Sequence, residues 1–244
     1  MMKKSGIIFS LLVFAVAFSS PVLAQSWSGI QGEGPTVTRQ LIVDDFDGFT
    51  VSNNARVIIR QGNTRSVEVE GQQNIIDNLK TEVKNGHWKI GFNKNVRRHD
   101  RLTIRIIMPR LDEASISGSG SIEGSGAFSG LDELKVRISG SGDIDLDVDA
   151  AAVHTSISGS GDIRLGGATA NHEVRISGSG DVKAAELNAR NCEVRISGSG
   201  DAAVHASESL EVGASGSGDV FYRGRPRVKA KVSGSGKVEA RGDS

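Results

Sequence analysis

In the second half of this chain apolar residues fall at every other position in short bursts, and each burst ends on the phrase Ser-Gly-Ser-Gly. The phrase begins at Ser139, Ser158, Ser177, Ser197, Ser215 and Ser233, with a diverged earlier copy at Ser117, giving spacings of 22, 19, 19, 20, 18 and 18 residues. The residue before it reads Ile138, Ile157, Ile176, Ile196, Ala214 and Val232; two earlier stand Val136, Thr155, Val174, Val194, Val212 and Ala230. Two further back are Leu134, Val153, His172, Cys192, Leu210 and Val228. Alternation resumes after the glycines with Ile144, Ile163, Val182, Ala202, Val220 and Val238. Period two marks a strand with one buried face. A period near 20 marks a stacked repeat whose single unit cannot bury that face alone. The pattern predicts a parallel β-helix in which each coil pairs with the next, about 4.8 Å away. Glycine at both corner positions fits a bend where a Cβ would clash or φ must be positive. A flexible linker of similar composition would not carry apolar residues at fixed offsets.

The first half is less regular. Leu41–Val43, Phe49–Val51, Arg56–Ile59, Ser66–Val69, Trp88–Phe92 and Leu102–Ile107 read as short strands, and Asn74 to Lys80 as one short helix with Ile75, Ile76 and Leu79 on one face. This block is expected to supply irregular first coils and a cap over the open end of the stack. The fold class is therefore all-β: a single-domain β-helix over 36–244, with coils of 18–22 residues and an N-terminal cap containing one short helix. Residues 36–112 form the cap and irregular coils, and residues 113–244 the repeat coils. Lys3 and Lys4, the apolar run Ile7 to Phe18, and Pro21-Val22-Leu23-Ala24 predict an export signal over 1–24, cut between Ala24 and Gln25. The apolar run is shorter than the roughly 20 residues a membrane span needs, and no later run is long enough. Residues 25–35, rich in Gly, Ser and Gln, are expected to be a flexible leader.

Charge removes some function classes. The chain has 29 basic and 29 acidic residues; loss of Lys3 and Lys4 with the signal leaves a small acidic excess. With no large basic block, nucleic acid and anionic membrane are not expected partners. Cys192 is the one cysteine, so no internal disulfide forms and stability must come from stacking.

The candidate chemistry is thin. Asp143, Asp162, Asp181, Asp201 and Asp219 follow the glycines in five consecutive copies and would stack as a carboxylate ladder about 5 Å apart. Backbone N–H groups, serine hydroxyls or Arg137, Arg175 and Arg195 would have to offset the repulsion. Calcium is the functional alternative, but the nine-residue Gly-Gly-x-Gly-x-Asp period of calcium-binding β-rolls is absent. His172 and Cys192 share a column, which gives too few ligands for zinc and fits core filling. There is no Gly-x-Ser-x-Gly elbow, dinucleotide fingerprint or P-loop. Arg97-Arg98-His99-Asp100-Arg101 is a charged cluster expected in a solvated loop. No catalytic, cofactor-binding or metal-ligating residue is assigned.

Phe46-Asp47-Gly48-Phe49 with Val51, Val57-Ile58-Ile59-Arg60-Gln61-Gly62, Lys94-Asn95-Val96, and Ile116-Ser117-Gly118-Ser119-Gly120 with the later Ser-Gly-Ser-Gly-Asp series resemble the putative auto-transporter adhesin head GIN domain family. The resemblance covers roughly residues 40 to 240. It implies an exported bacterial protein with a right-handed parallel β-helix and no known catalytic role. The segment corresponding to Gly-Ile-Asn departs from the pattern and reads Asn54-Ala55-Arg56. No membrane-barrel sequence follows Ser244, so the chain is not expected to be itself an autotransporter.

Two function classes remain. One is a non-enzymatic periplasmic, surface or secreted protein, adhesin-like, binding a protein or glycan through its repetitive faces. The other is a carbohydrate-active enzyme of the lyase or hydrolase type, which would need a groove collecting titratable residues from non-repeating positions.

Overall fold

The in-register columns of the repeat close into a β-solenoid of about 7 turns with 2% helix. This computed structural model describes residues 29–242; the expected signal peptide, the Ala24–Gln25 cut and the start of the leader lie outside the described residues. Strands Asp143–Gly159, Asp162–Gly178, Val182–Gly198 and Ala202–Gly216 run almost without break from one corner to the next. Ile157 pairs with Ile176, Ile176 with Ile196, and Ile196 with Ala214, all in parallel. The interior is filled by these aligned columns.

The Ser-Gly-Ser-Gly corners stack backbone on backbone. Gly178 has φ +138°, and a Cβ there would sit 2.3 Å from the carbonyl oxygen of Gly159 in the coil before. A Cβ on Gly180 would lie 2.1 Å from the Gly161 oxygen and 2.9 Å from Cγ2 of Ile157. The two glycines are therefore required for different reasons, the first by backbone conformation and close approach, the second by close approach alone.

At the N-terminal end, stacking order departs from chain order. Gly48–Val51 pairs in parallel with both His87–Ile90 and Glu113–Ile116. Arg56–Gln61 likewise lies between Thr103–Met108 and Ser121–Gly124. The coil made by 48–61 is thus second in the stack, and the later segment 87–108 forms the outermost coil. Antiparallel segments cover both edges of that outermost coil: Val83–Lys84 pairs with His87 and Trp88, and Ser66–Gln72 pairs with Thr103–Met108. Thr36–Gln40 then lies antiparallel on Ser66–Gln72. Strand edges that would otherwise template another chain are closed in this way.

Two expectations need correction. The helix spans only Gln73–Ile76, not Asn74 to Lys80. Leu79 makes an antiparallel bridge to Phe92, and Lys80 N–H donates to the Gly91 carbonyl at 2.8 Å, so the backbone there serves the cap instead of a further helical turn. From Ile30 onward the expected flexible leader is docked: Ile30–Gln31 pairs in parallel with Val96 and Arg98, and Asn74 Nδ2 donates to the Gln31 carbonyl at 2.6 Å. At the opposite end Arg227–Gly234 is exposed along its length, with Val228 and Val232 uncovered.

Candidate functional site

The corner aspartates form a ladder compensated by the backbone. Asp162 Oδ1 accepts the Asp181 N–H at 3.2 Å, Asp181 Oδ1 the Asp201 N–H at 3.0 Å, and Asp201 Oδ1 the Asp219 N–H at 2.7 Å. Asp219 Oδ1 accepts the Lys237 N–H at 3.0 Å. Burial works to raise the Asp162 carboxyl, but the Lys183 ammonium and the Asp181 N–H outweigh it and hold that group below its ordinary value. Arg175 and Arg195 do not reach the ladder; each pairs with a glutamate on its own strand, Glu173 and Glu193. Arg137 points to Glu113 at 3.4 Å. Among the described residues no group of three or more His, Cys, Asp or Glu side chains is placed to hold a metal.

His172 and Cys192 are neighbours in one column, both buried. Burial, with a smaller push from the charge on Glu193, raises the Cys192 thiol to about 12, which disfavours the thiolate needed for nucleophilic or metal chemistry.

The concave, non-repeating feature lies at the cap. Where the repeat coils turn through Ser-Gly-Ser-Gly, the second coil turns through Ser52-Asn53-Asn54-Ala55, and the outermost coil runs from Ile90 to Thr103 by way of residues 91–102. Between these corners lies a cleft of about 1220 Å³, its wall including Ser52, Asn53, Asn54, Phe92 and Asn95 with Lys80, Lys89, Lys94, Arg97, Arg98 and His99. The loop is fixed from several sides. Asn78 Nδ2 donates to the Lys94 carbonyl at 2.9 Å, and Lys94 N–H donates to Asn78 Oδ1 at 3.0 Å. His99 Nε2 is 2.8 Å from Asn54 Oδ1, and its ring meets Phe92 edge-on at 5.7 Å.

The charged run Arg97-Arg98-His99-Asp100-Arg101 was visible in the sequence as a solvated loop. The structure places its first three residues in the cleft wall, whereas Asp100 and Arg101 are outside it. Lys80 and Lys89, which face the same space, carried no sequence signal. They arrive only because the outermost coil folds back over 48–61.

Solved structures with this fold are known. A putative adhesin from Bacteroides fragilis aligns with a TM-score of 0.81 and 24% identity over 87% of this chain and 100% of that one. A putative lipid binding protein from Parabacteroides distasonis aligns with a TM-score of 0.73 and 26% identity, covering 88% of this chain and 100% of its own. A putative adhesin from the same organism has a TM-score of 0.66 at 22% identity, over 88% and 100%. No curated protein matches the sequence. Residues 45–226 match the family described as putative auto-transporter adhesin, head GIN domain, and that span includes the cleft loop and all but the last of the Ser-Gly-Ser-Gly corners. With the nested coils of 48–61 and 87–108 and six of the seven glycine corners inside the matched span, the chain belongs to this adhesin head-domain family.

Proposed function

We propose that this is an exported, non-enzymatic, adhesin-like protein that attaches to a protein or glycan partner through the long repetitive faces of its solenoid. The observation that supports it is the register of the outward rows. Lys135, His154, Glu173, Glu193, Glu211 and Lys229 follow one another on successive in-register strands, forming a flat polar row of fixed spacing. Such a surface suits repeated weak contacts summed over a long partner. Two-carboxylate hydrolysis is poorly served in the cap cleft. Glycoside hydrolysis uses two carboxyl groups flanking the scissile bond, and the wall of the cap cleft has none. Export is supported by the N-terminal sequence pattern and by membership of an adhesin family. Among the described residues no helix is long and apolar enough to cross a membrane.

A glycan and host-matrix array probed with the mature protein, run beside a polysaccharide-degradation assay, tests the proposal. Binding without release of new reducing or unsaturated ends is expected. Turnover of any polysaccharide overturns it.

A further inference from the structure

Five cations, Lys80, Lys89, Lys94, Arg97 and Arg98, line the cap cleft, and none has a carboxylate partner among the described residues. Unpaired cations such as Arg60, Arg190, Arg227 and Lys231 also occur elsewhere, but the five here share one concave wall, whereas Arg175, Lys183, Arg195 and Lys229 each sit against an acid. Nor does the adjoining N-terminal segment supply a counter-charge, since residues 1–28 contain no Asp or Glu. Like charges facing one concave space repel, and the potential they create there is positive and focused by the walls. Their positions are also set in advance. The two Asn78–Lys94 hydrogen bonds and the pairing of Val96 and Arg98 with Ile30 and Gln31 hold the loop without a ligand, which lowers the ordering cost of binding.

The remaining lining narrows the chemistry of the anion. Ser52, Asn53, Asn54 and Asn95 present hydroxyl and amide groups suited to sugar hydroxyls. Apolar side chains are limited to Phe92 and Val96, and the other side chains of the wall carry polar or charged ends. The one aromatic ring is engaged edge-on by His99, so there is no row of platforms for stacked bases. At about 1220 Å³ the cleft also exceeds what a single phosphate or carboxylate would fill.

We propose that the cap cleft binds a segment of acidic polysaccharide, its carboxylate or sulfate groups paired with Lys80, Lys89, Lys94, Arg97 and Arg98. This rests on the chain being a binding protein and adds a second site, at the end of the solenoid, with its own ligand class.

The test is calorimetric titration of the mature protein with oligogalacturonate, dextran sulfate and neutral dextran over a series of salt concentrations. Both anionic glycans should bind, with affinity falling as salt rises, and neutral dextran should not. A Lys94→Gln/Arg97→Gln/Arg98→Gln variant should bind about 30-fold more weakly, roughly threefold for each exposed charge pair. These side chains are exposed, so its melting curve should match wild type. An Arg225→Gln variant, in the exposed turn between Val220–Arg223 and Arg227–Gly234, should titrate like wild type. Equal binding of neutral dextran, undiminished binding by the cleft variant, or stronger binding to phosphatidylglycerol vesicles or single-stranded DNA than to either glycan overturns the proposal. If the cleft variant keeps its array signals while neither anionic glycan titrates wild type, the cleft assignment fails and attachment through the faces stands. Should anionic glycans titrate the cleft while a degradation assay shows turnover, the non-enzymatic reading fails instead.

Discussion

Thr155 and His172 meet across adjacent coils inside the solenoid, with the threonine Oγ1 2.9 Å from Nε2 of the buried ring. The neighbours of His172 in its column are Val153 and Cys192, and those of Thr155 are Val136 and Val174. One polar pair thus stands among apolar rows, and His172 Nδ1 has no partner at all. A protonated ring would be costly there. Burial first, and the nearby charge of His154 second, lower its pKa from 6.5 to about 4.

The sign of the pH effect follows from that shift. Above pH 6.5 the ring is neutral in both states and contributes no pH dependence. Below it the unfolded chain takes up a proton that the folded protein refuses until about pH 4, so stability falls across this window and then levels off. The loss should reach roughly 3 kcal/mol, at 1.36 kcal/mol per pKa unit. Glu173 and Asp162 also have lowered values and lose their contributions at more acidic pH, so the range from about pH 6.5 to 5 isolates the histidine. In denaturant titrations the Thr155→Val/His172→Leu double variant, which places residue types found in the same columns of other coils, should flatten the stability profile there. A slope equal to that of wild type would place the acid sensitivity elsewhere.

Cys192 should be chemically silent in the native state. It is buried beside His172 with its thiol raised to about 12. Thiol reagent should label the denatured protein fully and the native protein only as fast as the stack opens. Rapid native labelling would mean that the coil around Val182–Gly198 opens far more often than its packing suggests.

The repeat columns were legible because two signals coincide there, alternation at period two and a recurrence near 20. Ile138, Ile157, Ile176 and Ile196 could be aligned by their glycines alone, and the register follows that alignment. The nested cap was not legible. Local alternation marks Phe49–Val51 and Trp88–Ile90 as strands, but their pairing is a long-range choice made by burial, with Trp88 and Phe46 packed at 5.3 Å. The cleft was half visible for the same reason. Arg97 and Arg98 stand out as a charge run, whereas Lys80 and Lys89 join them only through that pairing. The leader docks chiefly through backbone pairing at Ile30 and Gln31 and through Asn74, and with only Trp27 and Ile30 as large apolar side chains it leaves no periodicity to read.

The nested order has a mechanical consequence. Trp88 is fully buried under the cap, and its Nε1 donates to the Lys80 carbonyl at 2.8 Å. Trp88→Ala should cost about 3–5 kcal/mol, the range for large core truncations. In hydrogen exchange its effect should appear first in residues 48–61 and 103–108, while the coils from Asp162 to Gly198 keep their protection. Uniform loss along the whole solenoid would show that the cap and the repeats unfold as one unit.

The corners should depend on glycine more than on aspartate. At Gly178 an alanine would have to hold φ +138° with its Cβ against the Gly159 carbonyl, and at Gly180 it would meet the Gly161 carbonyl. Backbone cannot swing aside as a long side chain can, so the coils must separate. Either Gly178→Ala or Gly180→Ala should cost at least about 1–3 kcal/mol. Asp181→Asn should be milder. Its amide oxygen can still accept the Asp201 N–H, and the change relieves repulsion from Asp162 and Asp201 on either side in the ladder. Thermal melts of the three variants, with and without calcium, compare these effects directly. A neutral glycine variant beside a collapsed Asp181→Asn, or a strong rise in the wild-type melt with calcium, would show instead that the carboxylate ladder is a cation site and that the backbone N–H groups only share its charge.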